Sequence, residues 1–177
     1  MSHTIRLREP DDIATCVEIL KQVYELSGYP IQGVDNAARA LQTNDQAWVA
    51  ISQRSKAPDR IIGHVALNAP RKGNVGTELW LAQHPEDQSH IAALGWLFVS
   101  PASRGAGTAS TLVRTVLDEA RKRGFRRVIL FALVKDQEAI RLYRRLGWEH
   151  FGTAVYHWGE KGQEREMDAE CFASTEL

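Results

Sequence analysis

Between residues 91 and 147 the chain reads strand, glycine-rich turn, helix, strand, helix, and this alternation restricts the available folds more than any other feature. Ile91–Val99 is an apolar run of strand length, with Gly95 inside it and Ser100 and Pro101 after it, the pattern of a buried strand. Ala109, Leu112, Val113, Val116, Leu117 and Ala120 then recur at helical spacing and define one apolar face. Arg121, Lys122, Arg123 and Gly124 supply the chemistry expected at a helix C-terminus. Arg127–Leu133 is a second apolar strand. Asp136 opens another helix, with Ala139, Leu142, Tyr143 and Leu146 expected inward and Gly147 as its stop. Strand, helix and strand in this order form a βαβ unit, so the two strands should run parallel with a right-handed crossover.

The first half reads differently. Residues 4–8 alternate like a short strand, and Pro10, Asp11 and Asp12 begin a helix, with Asp expected to cap its first free N–H groups. Ile13, Cys16, Val17, Leu20, Val23 and Tyr24 give that helix its apolar face, and residues 27–30 end it. A short helix is expected over 35–41. Gln46–Ser52 and residues 60–68 read as a hairpin joined by a polar, Pro-containing turn. Residues 69–90 form a connection long enough to require structure or function of its own, and a short helix from Thr77 to His84 is expected there. Hairpin strands first and a βαβ unit later predict a mixed α/β sheet in one domain of 177 residues.

Charge narrows the function classes. Lys plus Arg is 22 and Asp plus Glu is 22, so the balance is neutral and a strongly basic nucleic-acid binder is not expected. In the motif-bearing half the longest run free of charged residues and His is 13 residues, 91–103, against the roughly 20 that a membrane-spanning helix requires. The opening residues carry Arg6, Arg8, Glu9, Asp11 and Asp12 without an apolar segment, which predicts no signal peptide. Cys16 and Cys171 stand alone, so two buried, reduced thiols in a cytoplasmic protein are expected. His64, His84, His90, His150 and His157 show no metal-ligand spacing, and no metal is expected. Trp80, Trp96, Trp148 and Trp158 read as packing residues, and Glu78, Glu86 and Asp87 as exposed loop charge.

The chemistry concentrates in the turn after Ile91–Val99. Strand, glycine-rich turn and helix N-terminus together form an anion site, because the first helical N–H groups lack carbonyl partners and the helix dipole favours negative charge there. Gly105 and Gly107 allow close approach to the backbone, and Arg104 adds a guanidinium. A Walker-type loop would need Gly-Lys-Ser/Thr, which is missing here. A dinucleotide fold would want an acid at the end of the next strand, and residues 128–135 carry none. The remaining reading is Arg-x-x-Gly-x-Ala, Arg104 through Ala109, a coenzyme A diphosphate loop.

These residues resemble the GCN5-related N-acetyltransferase (GNAT) superfamily. Leu97, Phe98, Val99, Ser100 and Pro101 followed by Arg104, Gly105, Ala106, Gly107, Thr108 and Ala109 are similar to the family's fourth strand, pyrophosphate loop and following helix. Asp136, Ala139, Leu142, Tyr143, Gly147 and Trp148 are similar to its later motif, which usually reads Asn-x-x-Ala-x-x-Leu-Tyr-x-x-x-Gly-Phe. The resemblance implies a GNAT fold, a mixed sheet whose fourth and fifth strands splay apart, and acetyl-CoA as co-substrate. Leu97, Phe98 and Val99 would pair with pantetheine, and the amides of Gly105, Ala106, Gly107, Thr108 and Ala109 would hold the diphosphate, with Arg104 beside them. Asp136 and Ala139 would face the cofactor. A strand amide would polarise the thioester carbonyl, and Tyr143 would protonate the departing thiolate. The acceptor would be the amine of a small molecule or peptide, attacking directly in a ternary complex. Homodimers are common in such folds.

This sequence departs from the family pattern twice. Asp136 replaces the usual Asn, which removes an amide donor and leaves a capping role. Ala93 stands where related sequences often carry Glu, which leaves the base unassigned, with Glu78 as a distant candidate. A non-catalytic acyl-CoA-binding module of the same fold is the alternative reading.

Overall fold

The computed structural model describes residues 2–53 and 60–177. Among the described residues seven strands run in the order β1-β2-β3-β4-β5-β7-β6, with five α-helices between them. The contacts divide into two compact units, Met1–Leu67 with Gly95–Val116, and Asn68–Leu94 with Leu117–Leu177. The fold class is mixed α/β, as expected.

In the first unit, β1 (His3–Leu7) pairs antiparallel with β2 (Gln46–Ser52), and β2 pairs antiparallel with β3 (Ile61–Asn68). The hairpin is present, and its expected Pro-containing turn lies outside the described residues. Helix α1 (Asp12–Ser27) stops where anticipated. Gly28 adopts φ 69°, a left-handed conformation that glycine enters without a Cβ penalty, and its N–H donates to Tyr24 O at 2.7 Å. Helix α2 (Ala37–Gln42) closes over the same face. Cys16, Leu20 and Val23 of α1, Leu41 of α2, and Val49, Ile51, Ile61 and Phe98 of the strands form the core of this unit. Both cysteines are buried and unbridged, as the composition indicated.

Asp12 corrects one expectation. Neither it nor Asp11 caps α1 through its side chain. The Asp12 carboxylate accepts two hydrogen bonds from the Arg6 guanidinium, at 2.7 and 2.9 Å, and one from the Glu9 N–H at 2.6 Å. It ties the end of β1 to the start of α1. Tyr24 and Leu146, both expected inward, are 38% and 37% exposed; Tyr24 lies in the last turn of α1, and Leu146 follows the last residue of its helix.

In the second unit, β4 (Ile91–Val99) contributes its first residues and runs parallel to β5 (Arg127–Leu133). The connecting helix α4 (Thr108–Lys122), which belongs to the first unit up to Val116 and to the second from Leu117, buries Leu112, Val113, Val116 and Ala120, four of its six predicted apolar positions, with Ala109 and Leu117 half-buried. The long connection contains α3 (Val75–Gln83) and a short 3-10 turn, Pro85–Asp87. Gly76 lets α3 approach β5 closely, since a Cβ there would lie 3.0 Å from Leu130 O. Trp80 packs with Ile91, Ile129 and Ala173. Asp87, expected as exposed loop charge, is buried and accepts a 3.0 Å hydrogen bond from Trp80 Nε1. A buried indole N–H requires such a partner. Helix α5 (Gln137–Arg145) is followed by the antiparallel hairpin β6 (Glu149–Trp158) and β7 (Arg165–Ala173), which the sequence reading did not define.

Arg6 and the Glu9 amide hold the Asp12 carboxyl below the usual carboxylate range. A depressed folded-state value stabilises the fold above about pH 3.9, the unfolded value, and that contribution disappears as pH falls through the folded value. Asp12→Asn should therefore cost about 1–2 kcal/mol at pH 7, given the partial exposure of Arg6. Urea unfolding of parent and variant should show the gap closing below about pH 3.9.

Candidate acyl-CoA site

The ladder between β4 and β5 consists of Ile91↔Arg127, Ala92↔Val128 and Ala93↔Ile129, and then stops although both strands continue. Three residues later the β4 backbone turns. Trp96 has φ 53°, the one positive value at a non-glycine among the described residues. The left-handed region costs an L-residue about 1–2 kcal/mol, so something must hold it there.

The Trp96 carbonyl accepts a 2.8 Å hydrogen bond from His64 Nδ1. The other ring nitrogen, Nε2, lies 3.0 Å from Arg8 Nη1. A carbonyl can only accept and a guanidinium can only donate, so the proton sits on Nδ1 and the lone pair on Nε2. The ring is fully buried and stacks on Phe98, with centroids 5.0 Å apart and planes 12° apart. Burial pulls the imidazole down to about 4, and the Arg8 charge pushes the same way, against the bond to Trp96. Burial likewise lowers the Arg8 guanidinium, which the charge of Asp12 opposes.

Beyond β4 the chain passes through a 3-10 turn, Pro101–Ser103, into Arg104 and the two glycines. Gly105 and Gly107 have φ 78° and 76°, and a Cβ at either would meet nothing within 4 Å. Both glycines therefore serve backbone conformation, and the space beside them is open. Thr111 N donates to Gly107 O at 3.0 Å, so the earlier amides of α4 have no helical partner. Thr108 is 2% exposed, and its hydroxyl is buried without a hydrogen-bond partner among the described residues. Left-handed glycines, free helix-start amides, an orphaned hydroxyl and the exposed Arg104 form a donor set suited to a diphosphate. Leu97, Phe98, Val99, Arg104, Gly105, Ala106, Gly107, Thr108 and Ala109 all belong to the first unit. Gly63 fixes the helix start: a Cβ there would lie 3.1 Å from Leu112 Cδ1 and 3.2 Å from Phe98 O.

Asp136, Ala139 and Tyr143 belong to the second unit. Asp136 occupies the N-cap position of α5, but its side chain makes no capping bond, which corrects the expected role. Its carboxylate instead meets Lys135 Nζ at 2.6 Å. Ala139 is half-buried. Tyr143 is 4% exposed, with its ring edge-on to Trp148 at 5.5 Å and tilted against Phe172 at 6.1 Å. Arg141, Arg144 and Arg145 are exposed.

Other residues take structural roles. Glu78 is exposed, and its carboxylate accepts from Gly73 N at 2.8 Å, closing the loop before α3. Three residues of the basic cluster around the end of α4 are in ion pairs: Arg121 with Asp118, Arg123 with Glu119 and Arg126 with Glu176. The residue that sequence reasoning passed over is His64. Its partners stand 56 and 32 residues away, so no local spacing marks it.

Among the described residues there is no group of three or more His, Cys, Asp or Glu that could hold a metal ion, and no helix long and apolar enough to cross a membrane. Burial raises the Cys16 thiol to about 12 and the Cys171 thiol to about 11. Neither is a thiolate at neutral pH.

Comparison with known proteins gives a consistent result. An uncharacterised N-acetyltransferase of Escherichia coli, YjgM, is 33% identical over 93 residues, which are 52% of this chain and 56% of that protein. The chain thus spans about half the length of that relative. An N-acetyltransferase from Staphylococcus aureus Mu50 superposes with a TM-score of 0.69 at 17% identity, covering 99% of both chains. NAA60 of Arabidopsis thaliana in complex with acetyl-CoA superposes with a TM-score of 0.72 at 18% identity, covering 98% of both. At such identities the superpositions establish the fold. The profile of the Acetyltransferase (GNAT) family matches residues 14–148, which takes in the β4 turn, the glycine loop and the α5 motif, and the chain belongs to that family.

Proposed function

We propose that this protein transfers the acetyl group of acetyl-CoA to a primary amine by direct attack. The observation that carries this reading is the loop from Arg104 to Gly107, which runs with two left-handed, unobstructed glycines into the start of α4. The acetyl-CoA complex of the Arabidopsis relative supports the choice of co-substrate.

In this reading the diphosphate rests on the amides from Gly105 to Ala109, with Arg104 and the Thr108 hydroxyl as further donors. Pantetheine follows the β4 backbone at Leu97, Phe98 and Val99. The amine lone pair attacks the thioester carbon, and negative charge develops on the carbonyl oxygen, where a β4 amide donates. The C–S bond then breaks, the nitrogen gives up its surplus proton to solvent, and the thiolate takes a proton. Tyr143 is the candidate donor by its place in the family motif, with Asp136 and Ala139 preceding it. The high thiol values of Cys16 and Cys171 argue against an acetyl-cysteine intermediate.

Ala93 is 2% exposed in β4 and supplies no carboxylate. Glu78 is already engaged by Gly73. The acceptor's own basicity then matters. A lysine-like amine near pKa ~10.4 is neutral in roughly one molecule per 2,500 at pH 7, while an α-amine near ~7.7–8.0 is neutral in roughly one in six to eleven. A less basic amine is the better substrate for this site.

Three outcomes follow for purified protein. Gly107→Asp should lower CoA affinity at least about tenfold by calorimetry, since repulsion replaces charge-assisted bonds worth about 1.5–3 kcal/mol each. Gly107→Ala, which shares the backbone strain but carries no charge, should lose clearly less. Equal affinity in parent and Asp variant would remove the loop assignment. Thiol release at pH 7 should favour low-pKa amines over lysine side chains, and the opposite preference would exclude the acceptor assignment. Tyr143→Phe, which keeps the ring packing, should lower kcat by about 10²–10⁴ with CoA affinity unchanged if the phenol is the acid. Parental turnover with chemistry rate-limiting would make Tyr143 a packing residue.

A further inference from the structure

We propose that His64 is a positioning residue, which holds the β4 backbone turned at Trp96 so that the N–H of Leu97 is presented to the thioester carbonyl. The inference rests on the acetyl-CoA reading above and adds a residue that lies outside both family motifs.

Four observations support it. Trp96 is held at φ 53°, where an aromatic residue does not settle by itself. Its carbonyl is fixed at 2.8 Å by a ring that is fully buried. That ring is held at both nitrogens and on one face: Arg8 Nη1 lies 3.0 Å from Nε2 and Phe98 stacks on the ring, while the His64 backbone sits opposite Val49 in the β2–β3 register. The clamp is anchored in turn, because Arg8 N donates to Ala47 O at 2.9 Å.

Peptide planarity supplies the link to chemistry. In a trans peptide the carbonyl of one residue and the N–H of the next point in opposite directions. Fixing Trp96 O toward His64 therefore aims Leu97 N–H away from it. Gly95, Trp96 and Leu97 are half-buried, whereas Leu94 before them and Phe98 and Val99 after them are buried, so the accessible stretch of β4 is the one that contains this peptide. A donor that is already oriented costs no reorganisation when charge develops on the carbonyl oxygen, which is the basis of oxyanion stabilisation. His64 touches no reacting atom in this scheme. It acts through the Trp96–Leu97 peptide.

The test compares parent, His64→Phe and His64→Gln. Phe keeps the stack on Phe98 and removes both polar bonds. Gln offers one donor and one acceptor in place of the two nitrogens. Calorimetry with CoA and with acetyl-CoA separates the diphosphate anchor from the acyl contact. His64→Phe should bind CoA within about twofold of parent but lose about three- to tenfold of its preference for acetyl-CoA. Its kcat should fall by about tenfold or more, toward the ~10²–10³ that removal of one oxyanion donor costs, and Gln should restore part of both. A folded Phe variant with parental kcat and parental thioester preference would overturn the proposal. Should the Phe variant fail to fold, the parent decides by amide NMR. The Leu97 N–H should shift downfield with acetyl-CoA and not with CoA, and an equal response to the two overturns the proposal. A parent that binds both ligands without turnover leaves the calorimetric and NMR arms decisive. A parent that binds neither overturns the acetyl-CoA reading, and this inference with it.

Discussion

The geometry of the candidate site depends on a single peptide unit, that between Trp96 and Leu97. A strand with neighbours on both sides uses its backbone groups alternately toward each. β4 does so with β5 only as far as Ala93, although both strands continue. A strand that abandons a ladder inside a protein exposes polar groups that must find other partners, because a buried, unsatisfied carbonyl costs about 1–3 kcal/mol. Trp96 resolves this by rotating out of the extended region, and His64 receives its carbonyl. The local strain and the buried imidazole are thus two parts of one arrangement. Removing either leaves the other without compensation.

The loop that follows is placed by close packing. Gly63 of β3 has room for no more than a hydrogen, with Leu112 of α4 and the Phe98 carbonyl both just over 3 Å from where a Cβ would sit. α4 is therefore seated directly on the β3 backbone, and its first turn, with Thr108 buried, has little freedom. Gly105 and Gly107 serve the opposite purpose, since open space faces each of them and their left-handed φ shapes the turn. Glycines within one short stretch of structure thus do two jobs, and only the second is marked in the sequence by a motif.

That contrast explains what the sequence could and could not reveal. The βαβ unit was legible because its apolar residues recur at helix and strand periods, and β4, β5 and α4 fall where that periodicity placed them. α3 was legible from Glu78, Leu79 and Trp80, though its packing through Gly76 was not. The β6–β7 hairpin was missed because β6 is covered on one side only, with half-buried Tyr156 and Trp158 alternating with exposed Val155 and His157. In a short window that alternation is hard to separate from an amphipathic surface segment. Asp12 and Asp87 were misread for a different reason: their partners, Arg6 and Trp80, are close in sequence, but a carboxylate near a helix end or in a polar loop reads first as a cap or as solvated charge. The pairing that sets His64 apart joins three distant segments, and no local pattern encodes it.

His64 is also the group most easily mistaken for the missing base. It is an imidazole two residues before β3 reaches Ala66, and it contacts the strand that would carry the thioester. A general base needs an available lone pair and a protonated form that is accessible near neutral pH. The Nε2 lone pair of His64 is occupied by Arg8, the Nδ1 proton is committed to Trp96, and burial holds the ring near 4. Protonating Nε2 would place a second positive charge against Arg8, 3.0 Å away, on a buried ring. The same features that disqualify His64 as a base suit it to fixing a backbone, since a group that does not titrate near neutral pH keeps its hydrogen bonds through the whole working range. Under the proposed acetyl transfer, proton removal from the acceptor would then fall to solvent or to the acceptor itself, and amine basicity, rather than any carboxylate on β4, would sort substrates.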